Sequence, residues 1–202
     1  MLKFSIVLLA AAVSGFPAVF DFETTSGGFY ASSLTVSNSG LDLTITPEGF
    51  PNGFLYVGDL SVALLGTKSV VGSQVSPLAV DAFSPMRFAF SLPVSSITFA
   101  FGDAGGDTDS PVTIDAYSST NIFLGGLSTS YDAGVSIGGT LGGNFPGASY
   151  FIVTSGVGSS NSNSLGWEIV DVQISEVPEP PTMWLLGGSL IGLAVGLRNR
   201  RG

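Results

Sequence analysis

The stretch RFAFSLPVSSITFAF, from Arg87 to Phe101, decides the fold class. Its large apolar side chains occupy every second position in two runs, one ending at Leu92 and one starting at Ile97. A period of two places these side chains on one face of an extended strand. The stretch therefore predicts two β-strands, each with one face suited to a hydrophobic core.

The same alternation recurs on both sides of this stretch, and helical periodicity is absent. The further predicted strands are Val19 to Glu23, Leu34 to Ser37, Leu41 to Thr46, Val112 to Tyr117, Ser149 to Ser155 and Val170 to Ile174. Short strands at this density over about 160 residues favour two packed antiparallel sheets. The fold class is predicted to be all-β, an antiparallel β-sandwich of jelly-roll-like form.

Glycine-rich segments separate the predicted strands. Pairs of glycines at 27 and 28, 105 and 106, 125 and 126, 138 and 139, and 142 and 143 indicate turns or loops. Their spacing is not constant, so no internal repeat is predicted. Two stretches, Gly134 to Gly147 and Ser155 to Ser164, are predicted to be flexible surface loops.

The composition excludes most common enzyme chemistries. The 202 residues include no His and no Cys, which removes His-dependent nucleophile pairs, His or thiolate zinc sites and disulfides. Between the two ends of the chain, Lys68 and Arg87 stand against 14 of the 15 acids, a net charge of −12. This charge disfavours nucleic acid and anionic lipid, and it favours divalent cations or neutral ligands.

The N-terminus has the pattern of a secretory signal peptide. Lys3 precedes an apolar run from Phe4 to Val13, and small residues follow. We expect residues 1–14 to form the signal peptide, with cleavage between Ser14 and Gly15. The alternative is a buried N-terminal helix.

The C-terminus combines three elements in a fixed order. A proline-rich tether contains Val177, Pro178, Glu179 and Pro180; an apolar run predicts a transmembrane helix over residues 182–197; a basic tail over residues 198–201 contains Arg198, Arg200 and Arg201. The positive-inside rule keeps the arginines cytoplasmic and leaves the preceding domain outside. The predicted organisation is a signal peptide (1–14), an exported β domain (15–176) and a C-terminal segment (177–202).

This C-terminal segment resembles the PEP-CTERM sorting signal, with Val177 to Pro180 at the position of its Pro-Glu-Pro motif. The resemblance implies export, a membrane-held intermediate and processing by an exosortase at or near the motif. It also implies a final location at the cell surface or in an exopolysaccharide matrix such as a biofilm. The apolar run is short for a full membrane span. The alternative is an ordinary tail anchor with a proline linker.

The densest acidic cluster is a candidate calcium site. Asp103, Asp107 and Asp109 lie in a glycine-rich segment, and calcium prefers hard oxygen ligands on a flexible loop. The alternative is a solvated turn between two strands, because Asp and Gly are common turn residues. A second acidic group would form if the strand holding Asp21 and Glu23 paired with the strand holding Asp171, in a region where jelly-roll carbohydrate-binding modules often hold calcium.

The aromatic residues are candidates for sugar binding, which requires flat ring faces, and core packing is the alternative for each. They are Tyr30, Tyr56, Tyr117, Tyr131, Tyr150 and Trp167. Arg87 is expected to form a surface ion pair. No catalytic motif is present, so we expect no enzyme, with a structural or polysaccharide-binding role for the exported domain. The alternative is an extracellular polysaccharide hydrolase that uses Asp and Glu carboxylates.

Overall fold

The structure, a computed structural model, describes residues 17–49, 52–58, 68–73, 85–103, 111–130, 138–155 and 165–175. These residues form an all-β architecture without helices. The strands are β1 (Pro17–Phe20), β2 (Gly28–Ala31), β3 (Leu34–Asn38), β4 (Leu41–Pro47), β5 (Phe54–Gly58), β6 (Ser69–Ser73), β7 (Met86–Asp103), β8 (Val112–Tyr117), β9 (Phe123–Thr129), β10 (Gly138–Ser155) and β11 (Leu165–Ile174).

Two long strands, β7 and β10, link two portions of the sheet. In the first sheet portion the order is β3-β4-β7-β10-β8-β9, which uses the start of β7 and the end of β10. In the second sheet portion the order is β2-β5-β6-β11-β7-β10, which uses the other halves of the two long strands. All pairs are antiparallel, and shifts in register within β10 lie between Asn144 and Tyr150, where it passes between the portions.

The hydrophobic core lies between the two sheet portions. Phe88 in the first portion and Phe99 in the second are fully buried, and their ring centroids lie 5.2 Å apart. Phe151 of the first portion lies 5.9 Å from the same Phe99 ring. Each such side chain contributes about 1.5–3 kcal/mol on burial. The two portions thus pack face to face, an arrangement compatible with the predicted sandwich.

The predicted strands at the chain ends are adjacent in the structure. β1 pairs antiparallel with β11, with Ala18 opposite Val172 and Phe20 opposite Ile169. The start and the end of the described chain therefore lie side by side. The predicted signal peptide and transmembrane helix lie outside the described residues, and the described part of the chain contains no helix with the length and hydrophobicity needed to cross a membrane.

The prediction of a loop over Gly134 to Gly147 is wrong from Gly138 onward, because β10 begins there. The glycines are needed for close strand approach. A Cβ at Gly142 would lie 2.8 Å from the Ile97 carbonyl oxygen, and one at Gly139 would lie 3.1 Å from the Phe101 ring. The glycine pairs at 125 and 126, 138 and 139, and 142 and 143 thus lie in strands, which corrects their assignment to turns.

Candidate functional site

Three aromatic side chains form a row across the outer face of the first sheet portion. In β8, Val112, Ile114 and Ala116 are buried, so Tyr117 points away from the core. Tyr117 lies directly opposite Tyr150 on β10 and Phe123 on β9. We call Phe123, Tyr117 and Tyr150 the aromatic row.

The rings of the aromatic row contact each other in sequence. Tyr117 and Tyr150 are stacked, with centroids 5.0 Å apart and an interplanar angle of 7°. Phe123 meets Tyr117 at 5.6 Å with an interplanar angle of 63°. Phe123 is 56% exposed, whereas Tyr150 is only 8% exposed. Phe123 and the half-buried Tyr117 thus present their rings to solvent, and Tyr150 supports them.

Arg87 of β7 lies next to Tyr150, at the end of the aromatic row away from Phe123. Its guanidinium carbon lies 4.2 Å from the centroid of the Tyr150 ring, a cation–π contact. Its Nε and Nη2 atoms donate to the two carboxylate oxygens of Glu48 at 2.8 and 3.1 Å. These hydrogen bonds raise the pKa of Arg87, so the guanidinium stays charged and fixed in orientation. The predicted surface ion pair of Arg87 is confirmed, and its partner is Glu48.

A tight turn positions the exposed end of the row. The Ser118 hydroxyl oxygen accepts hydrogen bonds from the backbone N–H groups of Thr120 and Ile122 at 3.3 and 3.1 Å. Asn121 adopts a left-handed φ of 62°, and its side-chain oxygen accepts a 3.0 Å hydrogen bond from the Tyr150 hydroxyl. Asn tolerates this conformation better than most residues. The turn therefore fixes the start of β9 and the position of Phe123.

The electrostatics of this face suit an uncharged ligand. The charge of Arg87 is balanced by Glu48, and Asp115 points outward from β8 on the same face as Tyr117, two residues earlier. Burial and the nearby Asp115 raise the pKa of Tyr117, so its phenol is protonated at neutral pH and can donate a hydrogen bond. Flat apolar rings beside hydrogen-bonding groups can bind a sugar ring through its C–H face and its hydroxyls.

An acidic group lies on the outer face of the second sheet portion. Glu168 of β11 is 6% exposed, and burial, followed by the charges of Asp21 and Glu23, raises its pKa to about 7. Lys68 ties the neighbouring segment in place, because its backbone N–H donates to Glu23 Oε1 at 3.0 Å and its Nζ donates to the carbonyls of Glu23 and Thr25. Among the described residues, no set of three or more acids is arranged to hold a metal ion.

A cleft of about 680 Å³ lies between β1 and β3, at the end of the first sheet portion opposite the aromatic row. Its lining includes Tyr30, whose hydroxyl donates to the Ser26 carbonyl at 2.5 Å, and the exposed Thr35. The Asn38 amide donates to the Val19 carbonyl and joins the two strand edges. Phe22, also in the lining, is buried with a left-handed φ of 59°.

The structure separates the residues predicted to bind ligands. Trp167 is fully buried in the core beside Phe99 and Phe101, so it is not a sugar platform. Asp103 is the last residue of β7, and Asp107, Asp109 and Tyr131 lie outside the described residues, so the calcium site stays a prediction. The Asp171 carboxylate accepts a hydrogen bond from the Gln173 amide at 3.1 Å.

Sequence reasoning missed Phe123, Glu48 and Glu168. Phe123 stands in an unbroken apolar triplet before two glycines, so strand alternation could not detect it. Glu48 follows the end of β4, and only the three-dimensional register brings it to Arg87. Glu168 precedes the predicted strand from Val170, and its raised pKa depends on burial and on the charges of Asp21 and Glu23, which are distant in sequence.

The segment that follows the β domain matches a known family. Residues 176–201 match the family described as the PEP-CTERM protein-sorting motif. The chain carries a PEP-CTERM sorting motif. This motif implies an exported protein that is sorted by an exosortase and passes through a membrane-anchored intermediate to the surface. Val177 to Pro180 and the three arginines of the basic tail all fall within the matched residues.

No curated protein matches the chain, whereas several solved structures do. The arabinose-bound α-L-arabinofuranosidase MgGH51 aligns at 13% identity and a TM-score of 0.40, over 78% of this chain and 27% of that one. The K2 adhesin domain of Lys-gingipain aligns at 9% identity and 0.42, over 80% and 98% of the chains. The Cellvibrio mixtus lichenase 5A carbohydrate-binding module CBM6cm-2 aligns at 9% and 0.27, over 82% and 100%. Likenesses this distant carry no argument about function.

Proposed function

We propose that this PEP-CTERM protein is delivered by exosortase sorting to the cell surface or the exopolysaccharide matrix, where its β domain binds polysaccharide. The observation that carries the binding role is the aromatic row on the outer face of the first sheet portion. Phe123 and Tyr117 expose rings on adjacent strands, and Tyr150 and Arg87 support them from the other side.

The ligand is a neutral polysaccharide. The fixed Arg87–Glu48 pair has no net charge, and the charge of Asp115 and of the whole domain is negative. A chain of uronic acids or sulfated sugars would therefore be repelled rather than attracted. The rings lie 5.0–5.6 Å apart along the row, so consecutive parts of an extended sugar chain can contact consecutive rings.

The test is binding of the exported protein to an array of neutral and anionic oligosaccharides. We expect binding to neutral members and a loss of about tenfold for Tyr117→Ala, because a central exposed ring typically contributes at least about 1.4 kcal/mol. Phe29→Ala is the matched control. Phe29 is 49% exposed and pairs with Tyr56 at 4.8 Å, but it lies on β2, in the second sheet portion.

Equal losses in the two variants would contradict a specific role for the aromatic row. Absence of binding to every oligosaccharide would favour the purely structural role for the domain.

An extracellular polysaccharide hydrolase is the second candidate function, and the raised pKa of Glu168 favours it. A carboxylic acid with a pKa of about 7 retains a proton near neutral pH, as a general acid must. Release of reducing sugar by the wild type, with loss in Glu168→Gln and retention in Asp171→Asn, would establish this alternative.

A further inference from the structure

The outer edge of β9 has the properties of a strand-pairing surface. β9 is the last strand of the first sheet portion and, among the described residues, pairs only with β8. Within the described part of the chain, its other edge presents backbone N–H and C=O groups that can pair with another strand. Edges of this kind are usually protected by charge, proline or short length.

β9 lacks these protections. No charged residue and no proline occurs between Ala116 and Tyr131, and the strand is seven residues long. The other free edges in the described part of the chain differ. β1 and β2 have four residues each, β1 begins with Pro17, and β3 is joined to β1 by the Asn38 amide. The first half of β10, from Gly138 to Asn144, ends the second sheet portion without charge or proline, but it exposes no large apolar side chain.

Three consecutive apolar side chains are exposed at the start of this strand. Ile122 is 62% exposed, Phe123 56% and Leu124 39%. The aromatic row accounts for Phe123 but not for its two neighbours. Exposed apolar side chains beside an unprotected edge add buried area to any strand that pairs there.

We propose that this edge pairs antiparallel with β9 of a second copy of the chain. Antiparallel pairing of identical strands is self-complementary, since the same residues face each other across a two-fold axis. Two copies of the exported domain, with a net charge of −12 each, repel, and this uncharged edge lets their strands meet without like charges facing each other. Because the strand carries no charged residue, it offers no ion-pair partner to a basic or an acidic protein.

Pairing would join the first sheet portion of one copy to that of the other in one continuous sheet. A two-fold axis perpendicular to that sheet places the aromatic rows of both copies on the same side. If the proposed sugar binding is correct, the dimer is bivalent and holds one polysaccharide chain, or two, by avidity. The pairing itself does not depend on the sugar-binding proposal.

The first test is the mass of the exported protein in solution by sedimentation. We expect twice the monomer mass for the wild type and the monomer mass for the Leu124→Lys/Ser128→Lys double variant, since charges on the edge oppose pairing. Thr35→Lys places a lysine on the exposed edge strand β3 and should leave the dimer intact. A wild type that is monomeric throughout, or a dimer that survives in both variants, overturns the proposal.

Single cysteines locate the pairing independently of the lysine variants. The natural chain has no Cys, so a cysteine introduced at successive positions from Leu124 to Ser128 is the only thiol present. Opposed residues of antiparallel strands have Cα atoms about 4.5–5.5 Å apart, within the range of about 4.4–6.8 Å that disulfides span. We expect one strongly cross-linked position, on the two-fold axis, and none for Thr35→Cys. Equal cross-linking at all positions, or cross-linking to a different protein, rejects the second copy as the partner.

Discussion

The Tyr117 and Tyr150 rings stack at 5.0 Å from directly opposed positions on β8 and β10. Tyr150 is held on its other face by Arg87 and at its hydroxyl by Asn121. The buried ring is thereby fixed in three directions, and it in turn fixes the ring that faces solvent. A rigid platform of this kind loses little conformational entropy when a ligand binds.

Tyr150 should act as a positioning residue. Tyr150→Phe keeps the stacked ring and removes only the hydrogen bond to Asn121, so we expect a stability loss of about 1 kcal/mol with unchanged sugar binding. Tyr150→Ala removes the support for Tyr117 and should weaken binding about as much as Tyr117→Ala. Urea denaturation and oligosaccharide titration of both variants measure the two effects. Weakened binding in Tyr150→Phe would show that the hydroxyl itself matters to the ligand.

Replacement of Arg87 by Lys should lower stability although the charge is kept. Lys cannot make the bidentate contact with Glu48 and stacks poorly on the Tyr150 ring. Because the ion pair is partly exposed, we expect a loss of about 0.5–1 kcal/mol in the free energy of unfolding. Lys68→Arg, at the other cation of the described domain, is the comparison variant. A lysine variant as stable as the wild type would mean that the planar contact contributes nothing.

The raised pKa of Glu168 predicts a pH-dependent stability. The folded carboxyl holds its proton up to about pH 7, whereas the unfolded one releases it near its ordinary value of 4.5. The stability contributed by this group is therefore complete below pH 4.5 and falls as the pH rises to about 7. The cause is burial first, then the charges of Asp21 and Glu23.

Glu168→Gln should remove this loss. We expect the variant to gain about 1–2 kcal/mol over the wild type at pH 8 and little at pH 4, after allowance for solvent screening around the neighbouring acids. Urea denaturation at the two pH values measures the difference. Asp171→Asn, half-buried on the same strand, is the control. A constant difference between Glu168→Gln and wild type at both pH values would refute the assignment.

The sequence was sufficient to predict that these segments are β-strands with one buried face, but not where the strands end. The alternation at Phe88, Phe90, Ile97 and Phe99 correctly identified extended chain with one buried face. It also predicted two separate strands, one ending at Leu92 and one starting at Ile97. The structure has one strand, β7, whose two halves pair with different neighbours on either side of this point. Local pattern cannot show that a chain changes partners without ending a strand.

The aromatic row shows that the sequence also could not predict which aromatic side chains are exposed. Tyr117 and Trp167 were both predicted as candidate sugar platforms because they are aromatic, yet Trp167 lies in the core. What separates them is which face of the strand is covered, and that depends on the packing of the two sheet portions. The same holds for Glu168, whose pKa is raised by burial and by the charges of Asp21 and Glu23, more than a hundred residues earlier in the chain.

The C-terminal segment makes a prediction about processing. Residues 176–201 match the sorting motif, so an exosortase should process the chain at or near Pro178, Glu179 and Pro180. We expect replacement of Pro178, Glu179 and Pro180 by Ala to leave precursor uncut in the membrane fraction. Ser175→Ala, just before the matched residues, is the control and should be processed normally. Intact-mass measurement of the exported protein reports the result.

Neutralising Arg198, Arg200 and Arg201 should have a different effect from changing the motif. These arginines lie directly after the apolar run, and the positive-inside rule predicts that they keep the C-terminus cytoplasmic. With Gln in their place, a short span is held weakly, and full-length precursor should appear outside the cell. The motif variant should instead be retained. If the wild-type extracellular protein still ends in Arg201 and Gly202, both expectations fail, because the tail would then be part of the mature protein.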